Sequence, residues 1–222
     1  QIICDNNLDV LKTFPSESIN CCITSPPYWA LRDYGVEGQL GLESTFHEYL
    51  DRLIAIFDEV KRVLRKDGTC WVVLGDTYSG SGCGTNDYRT EKSKSIQGKG
   101  KNRNLYKTGG IAQKITNVVQ AKSLLQIPSR FAIMMTDHGW ILRNEIIWYK
   151  PNAMPSSVKD RFTVDFEKVF FFVKNKKYWF EQQFENIDKN SGWAKPKLQD
   201  NPQGRNKRCV WQIPTKPFKE AH

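Results

Sequence analysis

The sequence has 222 residues, with 33 Lys and Arg against 24 Asp and Glu, which gives a net charge of +9. An apolar fraction of 39% with 12 Phe, 8 Tyr and 7 Trp excludes wholesale disorder, and the length suits one good-sized domain or two small ones. No apolar run approaches the roughly 18 residues of a membrane span, and no signal peptide pattern opens the sequence.

Apolar patterning in the first half predicts alternating strands and helices. The predicted strands are short apolar runs, which lie at residues 1–4, 19–24 and 70–74. The predicted helices repeat apolar residues at three- and four-residue steps, at residues 8–12 and 46–64. Pro26 and Pro27 end the second strand, which we expect to be buried. Ser44 or Thr45 caps the long helix, and Gly68 ends it.

The second half continues the alternation. Residues 123–137 predict a helix, and Pro128 inside this segment favours a start near it. Residues 140–149 predict a strand that ends before Pro151. Residues 169–173 and 178–180 predict paired strands around a turn. Strands that alternate with helices around a buried sheet favour an α/β layer fold.

The positive charge is concentrated in two segments rich in Gly, Asn, Lys and Pro. Residues 89–122 carry +8 and residues 194–219 carry +6, so the rest of the chain carries −5. Such segments are ordinary solvated loops or phosphate-binding surfaces, and here we favour contact with nucleic acid. The residues expected to contact it are Lys92, Lys94, Lys99, Lys101, Arg103, Arg161, Arg205, Lys207 and Arg208.

The six cysteines indicate reduced, buried thiols of a cytosolic protein. Most lie in apolar runs, no C-x-x-C pair occurs, and only three histidines are scattered along the chain. A zinc site has no support in this pattern, so we predict no metal.

The most informative tract runs from Thr24 to Trp29, T-S-P-P-Y-W, directly after a predicted strand. Two prolines stiffen the backbone, and their carbonyls, the hydroxyl of Ser25 and the ring of Tyr28 suit a planar base with an amino group. The plain alternative is a rigid turn whose aromatic residues belong to the core. The residue types alone leave these two interpretations open.

This tract resembles the S-P-P-Y catalytic motif of the S-adenosylmethionine-dependent amino-methyltransferases that act on DNA. Serine in the first place is most typical of the cytosine-N4 branch, whereas the adenine-N6 branch usually has Asp or Asn there. Further blocks that resemble the family are L-R-D-Y-G at 31–35, G-Q-L-G at 38–41, L-R-K-D-G-T at 64–69, W-Y-K-P-N at 148–152 and F-E-K-V-F-F-F at 166–172. The resemblance implies a Rossmann-like methyltransferase sheet with helices on both faces, and S-adenosylmethionine as the cofactor.

The resemblance also implies roles for single residues. Tyr28 would stack on a base flipped out of double-stranded DNA, while Ser25 and the carbonyl of Pro26, stiffened by Pro27, would hold the amino group. Asp5, Thr24 and Ser25 would lie beside the cofactor. For Asp5, capping of the first helix is an equally weighted alternative.

The glycine-rich cofactor loop of the family has no good counterpart in the sequence. Residues 80–84, G-S-G-C-G, follow a strand but lack the aromatic lead and the following helix, so we reject them. We expect that loop beyond His222, in a continuation of the chain; a separate chain or a natural truncation are the alternatives. The predicted organisation is a catalytic part at 1–78, a basic loop at 79–117, an α/β part at 118–185 and a basic segment at 186–222. We expect this last segment to serve target recognition and to lead into a missing C-terminal block.

The predicted function is site-specific methylation of cytosine N4 in DNA by a cytoplasmic enzyme of prokaryotic or phage type. Adenine-N6 methylation is the close alternative, and a catalytically incomplete DNA-binding fragment or subunit is another. A restriction endonuclease or a second copy of the chain would be the protein partner, and we expect no membrane.

Overall fold

The computed structural model describes residues 2–31, 33–79, 119–186 and 204–216. Its helices are α1 (Asn7–Thr13), α2 (Phe46–Val63) and α3 (Ile127–Asp137). Its longer strands are β1 (Ile19–Thr24), β2 (Leu64–Leu74), β3 (Ile141–Tyr149) and β4 (Phe166–Val173). The short strands are β5 (Phe184–Glu185), β6 (Arg205–Asn206) and β7 (Val210–Gln212).

Five of the strands form one mixed sheet in the order β1-β2-β4-β3-β7, and β5 pairs with β6 in a small second sheet. β1 runs parallel to β2, so that Ile23 lies beside Trp71. β4 is antiparallel to both of its neighbours, β2 and β3, and β7 is parallel to β3. The strands and helices therefore build a mixed α/β layer structure.

The main core lies between one face of this sheet and the helices α2 and α3. α2 contributes Tyr49, Leu53 and Phe57, and α3 contributes Phe131, all of them buried. The sheet contributes every second residue of its central strands, Cys70, Val72, Leu74, Phe170 and Phe172. This alternation is the period-2 pattern of a strand whose two faces differ in surroundings.

The long helix α2 begins as predicted and ends earlier. The Thr45 hydroxyl accepts from the Glu48 amide, and the Glu48 carboxylate accepts from the Thr45 amide, which completes a capping box. The predicted end at Gly68 was wrong, because the backbone amides of Glu17 and Ser18 donate to the carbonyls of Arg62 and Val63. These bonds satisfy the last helical carbonyls, and the chain continues at once into β2.

Three other element predictions were wrong in part. Residues 2–4 form no strand, and Ile2 is almost fully exposed. α3 begins at Ile127 rather than at residue 123, which confirms the start predicted near Pro128. Gln126 adopts a left-handed backbone conformation there, and Asp76 accepts from the Ile127 amide. Residues 178–180 form no strand, since β2 and β3 already occupy both edges of β4.

Strand β1 was predicted correctly in extent and wrongly in burial. Ile23 is 77% exposed, and Cys21 is exposed as well, because every second residue of β1 points to the face away from the helices. The prediction of buried thiols holds for Cys70, holds in part for the half-buried Cys22, and fails for Cys4, Cys21 and Cys209.

Several predictions fall outside the described residues. They include the rejected glycine run at 80–84, nearly all of the basic loop at 79–117, and most of the segment at 186–222. The division into parts at residues 78, 117 and 185 therefore stays a prediction. Within the described ranges, no helix is long and apolar enough to cross a membrane.

Candidate active site

The tract predicted to carry the chemistry lies where β1 leaves the sheet. Thr24 is the last residue of β1, and Ser25 is the first residue beyond its carboxyl end. Open α/β sheets bind their ligands at this end of their strands. The tract is held from behind, because the Tyr49 hydroxyl of α2 donates to the Pro27 carbonyl at 2.9 Å. Trp29 is buried, and its ring N–H donates to the Glu43 carbonyl at 3.1 Å.

Tyr28 is the most constrained side chain of this tract. Its hydroxyl donates to Oε2 of Glu167 at 2.8 Å, and the Ser25 hydroxyl donates to the Tyr28 oxygen at 3.4 Å. The ring packs closely against Gly75, where an added Cβ would stand 2.6 Å from Cε2 of the ring. Burial, reinforced by the Glu167 carboxylate, raises the pKa of Tyr28 well above its ordinary value, so the hydroxyl keeps its proton.

Glu167 is paired on its other side. Its Oε1 accepts from the ammonium group of Lys150, and both side chains are largely shielded from solvent. Lys150 follows directly after β3, and its ammonium group also lies 4.5 Å from the centre of the Trp148 ring. Glu167 is the second residue of β4. Two neighbouring strands thus place a charge-paired carboxylate behind the Tyr28 hydroxyl.

Two cavities meet at this carboxylate. The smaller, about 340 Å³, is lined by Ser25, Pro26, Pro27, Tyr28, Leu31, Tyr34 and Glu167. The larger, about 590 Å³, shares Glu167 and extends between Asp76, Lys168 and the loop at residues 154–164. Gly75 lines the larger cavity and Tyr28 the smaller, so the Tyr28 ring and the backbone of Gly75 form part of the wall between them.

Arg161 and Asp76 are two of the charged residues that line the larger cavity. The Arg161 guanidinium lies 3.5 Å from the centre of the Tyr78 ring, a stacking arrangement that orients its N–H donors. Asp76 accepts from the amides of Thr77 at 2.9 Å and Ile127 at 3.1 Å. Burial raises the pKa of Asp76 against the effect of these hydrogen bonds.

The structure brings only some of the predicted site residues together. Ser25, Pro26, Pro27 and Tyr28 line one cavity, and Arg161 lines its neighbour. Asp5 is exposed and is not among the residues that line the Ser25 cavity; its carboxylate accepts from the Asn6 amide at 2.7 Å.

The capping alternative for Asp5 was wrong. The cap of α1 is Asn6, whose side-chain oxygen accepts from the amides of Leu8 and Asp9.

The predicted nucleic-acid contacts of the last basic segment are held by internal partners. Arg205 and Arg208 both donate to the same Glu185 oxygen, and Lys207 lies 4.6 Å from the centre of the Trp211 ring. Lys92, Lys94, Lys99, Lys101 and Arg103 lie outside the described residues.

Sequence reasoning missed Gly75, Asp76, Lys150 and Glu167 as parts of the site. Lys150 and Glu167 lie in blocks that resemble the family, yet no role followed from the sequence. A usable signal was present, since Glu167 is the one acidic residue in the otherwise apolar and basic strand F-E-K-V-F-F-F-V. A carboxylate at the start of a buried strand needs a partner.

Comparison with known proteins identifies the family. A family model of N6/N4 methyltransferases, described as DNA methylase, matches residues 19–222. The Type II methyltransferase M.Cfr9I of Citrobacter freundii is 41% identical over 97% of this chain and 64% of its own length. The chain belongs to the N6/N4 DNA methylase family. It spans 64% of the length of M.Cfr9I and of a second curated relative, the Type II methyltransferase M.XycI of Xanthomonas campestris.

Solved structures support the same fold. The PvuII DNA methyltransferase, titled cytosine-N4-specific, superposes with a TM-score of 0.52 at 20% identity over 89% of this chain and 61% of that one. A structure from Thermus thermophilus, titled as a putative DNA modification methylase complexed with S-adenosyl-L-methionine, gives a TM-score of 0.52 at 18% identity, over 96% of this chain and 66% of that one. The predicted Rossmann-like α/β fold class is thereby confirmed. Among the described residues, α2 and α3 both pack on one face of the sheet, so helices on its other face stay a prediction.

Proposed function

We propose that the protein transfers a methyl group from S-adenosylmethionine to the N4 amino group of a cytosine flipped out of double-stranded DNA. The observation that carries this proposal is the Ser25 cavity. There a hydroxyl, two prolines and a fixed tyrosine ring lie together at the carboxyl end of β1. A planar base with an exocyclic amino group fits this combination of acceptors and aromatic surface.

The roles follow from which groups already have partners. The Pro27 carbonyl accepts from Tyr49, so we assign the Pro26 carbonyl and the Ser25 hydroxyl to the amino group. The Tyr28 hydroxyl is bound to Glu167, which leaves the face of its ring for stacking on the base. Acceptors for the two N–H bonds would orient the nitrogen lone pair for in-line attack on the methyl carbon, and positioning of this kind can supply a large part of the rate. The N–C bond would form as the C–S bond breaks to leave a neutral thioether, and the extra proton on the nitrogen would pass to water afterwards.

The same cavity fits the reactive end of the cofactor. When bound, S-adenosylmethionine supplies the methyl group on a positively charged sulfur. The aromatic rings of Tyr28 and Tyr34 line the cavity, and aromatic rings attract a cation. Asp5 and Thr24 remain proposed contacts to the rest of the cofactor.

Contact with DNA is proposed for the positive side chains near the two cavities and for the basic loop. Arg161, stacked on Tyr78, is the described residue best placed to reach a phosphate or a base edge beside the Ser25 cavity. Lys207, Arg205 and Arg208 would add charge from the last basic segment. This contact would be salt-sensitive, because bound phosphates release their counterions.

Several curated relatives are named as Type II methyltransferases. We therefore infer that the protein is one half of a Type II restriction–modification pair in a prokaryotic cytoplasm, with a restriction endonuclease as its functional partner. Whether it acts as a homodimer is answered by its mass in solution with DNA.

The experiment that tests the function identifies the modified base. The protein is produced from the complete reading frame that encodes this chain, incubated with unmethylated DNA and S-adenosylmethionine, and the DNA is digested to nucleosides. We expect N4-methylcytosine by mass spectrometry. N6-methyladenine instead would support the adenine alternative, and neither base together with tight DNA binding would support a non-catalytic DNA-binding role.

A pair of serine variants tests the site. Ser25→Ala removes a proposed acceptor, so we expect turnover to fall about 100-fold while DNA binding changes little. Ser18→Ala is the matched control, since its hydroxyl bonds to the Pro15 carbonyl just before β1 and outside the cavity. Equal losses of binding and turnover in Ser25→Ala would contradict the assignment.

A further inference from the structure

The hydrogen bonds behind Tyr28 form a continuous chain that ends in two residues without a role in the proposed reaction, Glu167 and Lys150. The Ser25 hydroxyl reaches the Tyr28 oxygen, the Tyr28 hydroxyl reaches Glu167, and Glu167 is paired with Lys150. These residues come from three places in the sequence: the S-P-P-Y tract after β1, the end of β3 and the start of β4. Side chains so distant in sequence meet only because the sheet is assembled.

Tyr28 gains from such a partner, because contact with Gly75 alone does not fix the position of its hydroxyl. The absence of a side chain at Gly75 allows the ring to pack closely on the backbone of residue 75, yet a ring turned slightly there would keep that contact. The ring lines the cavity of about 340 Å³, so a small rotation changes the shape of that cavity. The hydrogen bond to Glu167 holds the Tyr28 ring in one rotational position.

Lys150 makes this bond possible at a shielded site. A carboxylate that is 21% exposed loses much of its hydration, and an ammonium group in contact with it compensates for that loss. Lys150 is held in turn over the Trp148 ring. The pair therefore presents one carboxylate oxygen, Oε2, in a fixed place for the Tyr28 hydroxyl.

We propose that Glu167, held by Lys150, is a positioning residue that fixes the Tyr28 ring as one wall of the base-binding cavity; this inference rests on the proposed function. Glu167 acts through Tyr28 and takes no proton from the substrate. Its loss lowers the rate of methyl transfer more than it lowers DNA binding, because the ring still stacks but no longer in one orientation.

Three variants test this role in steady-state methylation. Glu167→Ala is expected to lower kcat about 10- to 100-fold, because the Tyr28 ring is no longer held in one orientation. KM for DNA should stay within about threefold of its value in the unaltered protein. Glu167→Gln keeps an acceptor oxygen for Tyr28 and is expected to recover most of that loss. A Glu167→Gln protein as slow as Glu167→Ala would show that the charge itself takes part in the reaction, which overturns the positioning role.

Tyr28→Phe tests the same contact from the other side. It keeps the ring and removes only the hydroxyl, so we expect a loss of kcat similar to that of Glu167→Ala. The double variant should be no slower than the slower single variant, because both remove one shared contact. If the loss of kcat in the double variant equals the product of the two single losses, the two residues act independently, and the inference is overturned.

Glu59→Ala is the matched control. Glu59 is also a shielded carboxylate, 25% exposed, paired with a basic side chain, Arg62 at 2.8 Å, but it lies on α2 outside both cavities. We expect its kcat to stay within about twofold of the unaltered protein. If Glu59→Ala lowers kcat as much as Glu167→Ala does, the effect of Glu167 is a general structural one and not specific to Tyr28.

A second readout separates this inference from the proposed function. The same Tyr28→Phe and Glu167→Ala cycle is measured as shifts in the denaturant midpoint, which needs neither DNA nor cofactor. If the two shifts are not additive, the contact between Tyr28 and Glu167 is supported. This conclusion holds even if the protein methylates neither base, a result that would contradict only the proposed function. Additive shifts overturn the contact whatever the activity.

Discussion

The two faces of the central sheet carry similar side chains in different surroundings. On the face toward α2 and α3, Val72, Phe170 and Phe172 are fully buried against aromatic and aliphatic residues of the helices. On the opposite face, Trp71 stacks on Phe171 at 4.1 Å between ring centres, while Ile23 beside Trp71 is 77% exposed.

This difference shows that apolar composition alone does not decide burial in a strand. The rings of Tyr178 and Phe180 cover Phe171 on the second face, so that Phe171 is 2% exposed. This cover does not extend to Ile23 on β1, and Phe180 itself is 53% exposed. Free energy from burial follows the area removed from water. Within the described residues, the helix-covered face should therefore dominate the stability, and substitutions on the two faces should separate clearly.

The largest effect is expected for Phe131→Ala in α3. The Phe131 ring is fully buried and lies 5.2 Å from Phe57 and 6.1 Å from Phe172, so its removal leaves a cavity between helices and sheet. We expect the free energy of unfolding to fall by about 3–5 kcal/mol. Chemical denaturation followed by circular dichroism measures it, and a loss below about 1 kcal/mol would contradict the assignment of the core.

Phe180→Ala is the corresponding change on the second face. Its ring stacks on Phe171 at 5.8 Å and is about half exposed, so less area returns to water. We expect a loss of about 1–2 kcal/mol in the same denaturation experiment. A loss as large as that of Phe131→Ala would mean that the second face is as tightly packed as the first.

The sequence predicted the elements well and their surroundings less well. Local patterns were enough to predict a cap at Ser44 or Thr45, the extent of β1 and the buried faces of α2 and α3. These features depend on the spacing of apolar residues and on capping chemistry. The prediction that Ile23 is buried was wrong, because a short apolar run has the same sequence pattern whether one or both faces of its strand are covered. The strand predicted at residues 178–180 failed because its pairing depended on which strands already flank β4.

The candidate site shows the same limit. The sequence drew attention to Ser25 and Tyr28 because their residue types and order are unusual. It gave Glu167 and Lys150 no role, since 139 residues separate Tyr28 from Glu167 and only the assembled sheet brings them together. The cap of α1 is Asn6, one residue after the predicted Asp5, and the choice between two adjacent residues depends on backbone angles.

Thr45→Ala tests how far the covered face depends on the order of α2. The Thr45 hydroxyl accepts from the Glu48 amide at 3.2 Å and is half of the capping box. We expect a loss of about 1 kcal/mol in the free energy of unfolding. Ser44→Ala is the control, because the adjacent Ser44 is exposed and does not cap the helix, and it should change the stability by less than about 0.5 kcal/mol.

The smallest effect is expected for Ile23→Thr, measured against Val72→Thr. Both replacements keep a β-branched side chain and add a hydroxyl, and the two residues lie on adjacent strands. At Ile23 the hydroxyl faces water, so the free energy of unfolding should change by less than about 0.5 kcal/mol. At Val72, which is fully buried, the hydroxyl loses its water and should cost about 1–3 kcal/mol. Equal losses at the two positions would mean that β1 is covered on both faces in solution, and the contrast between the faces would then be wrong at this strand.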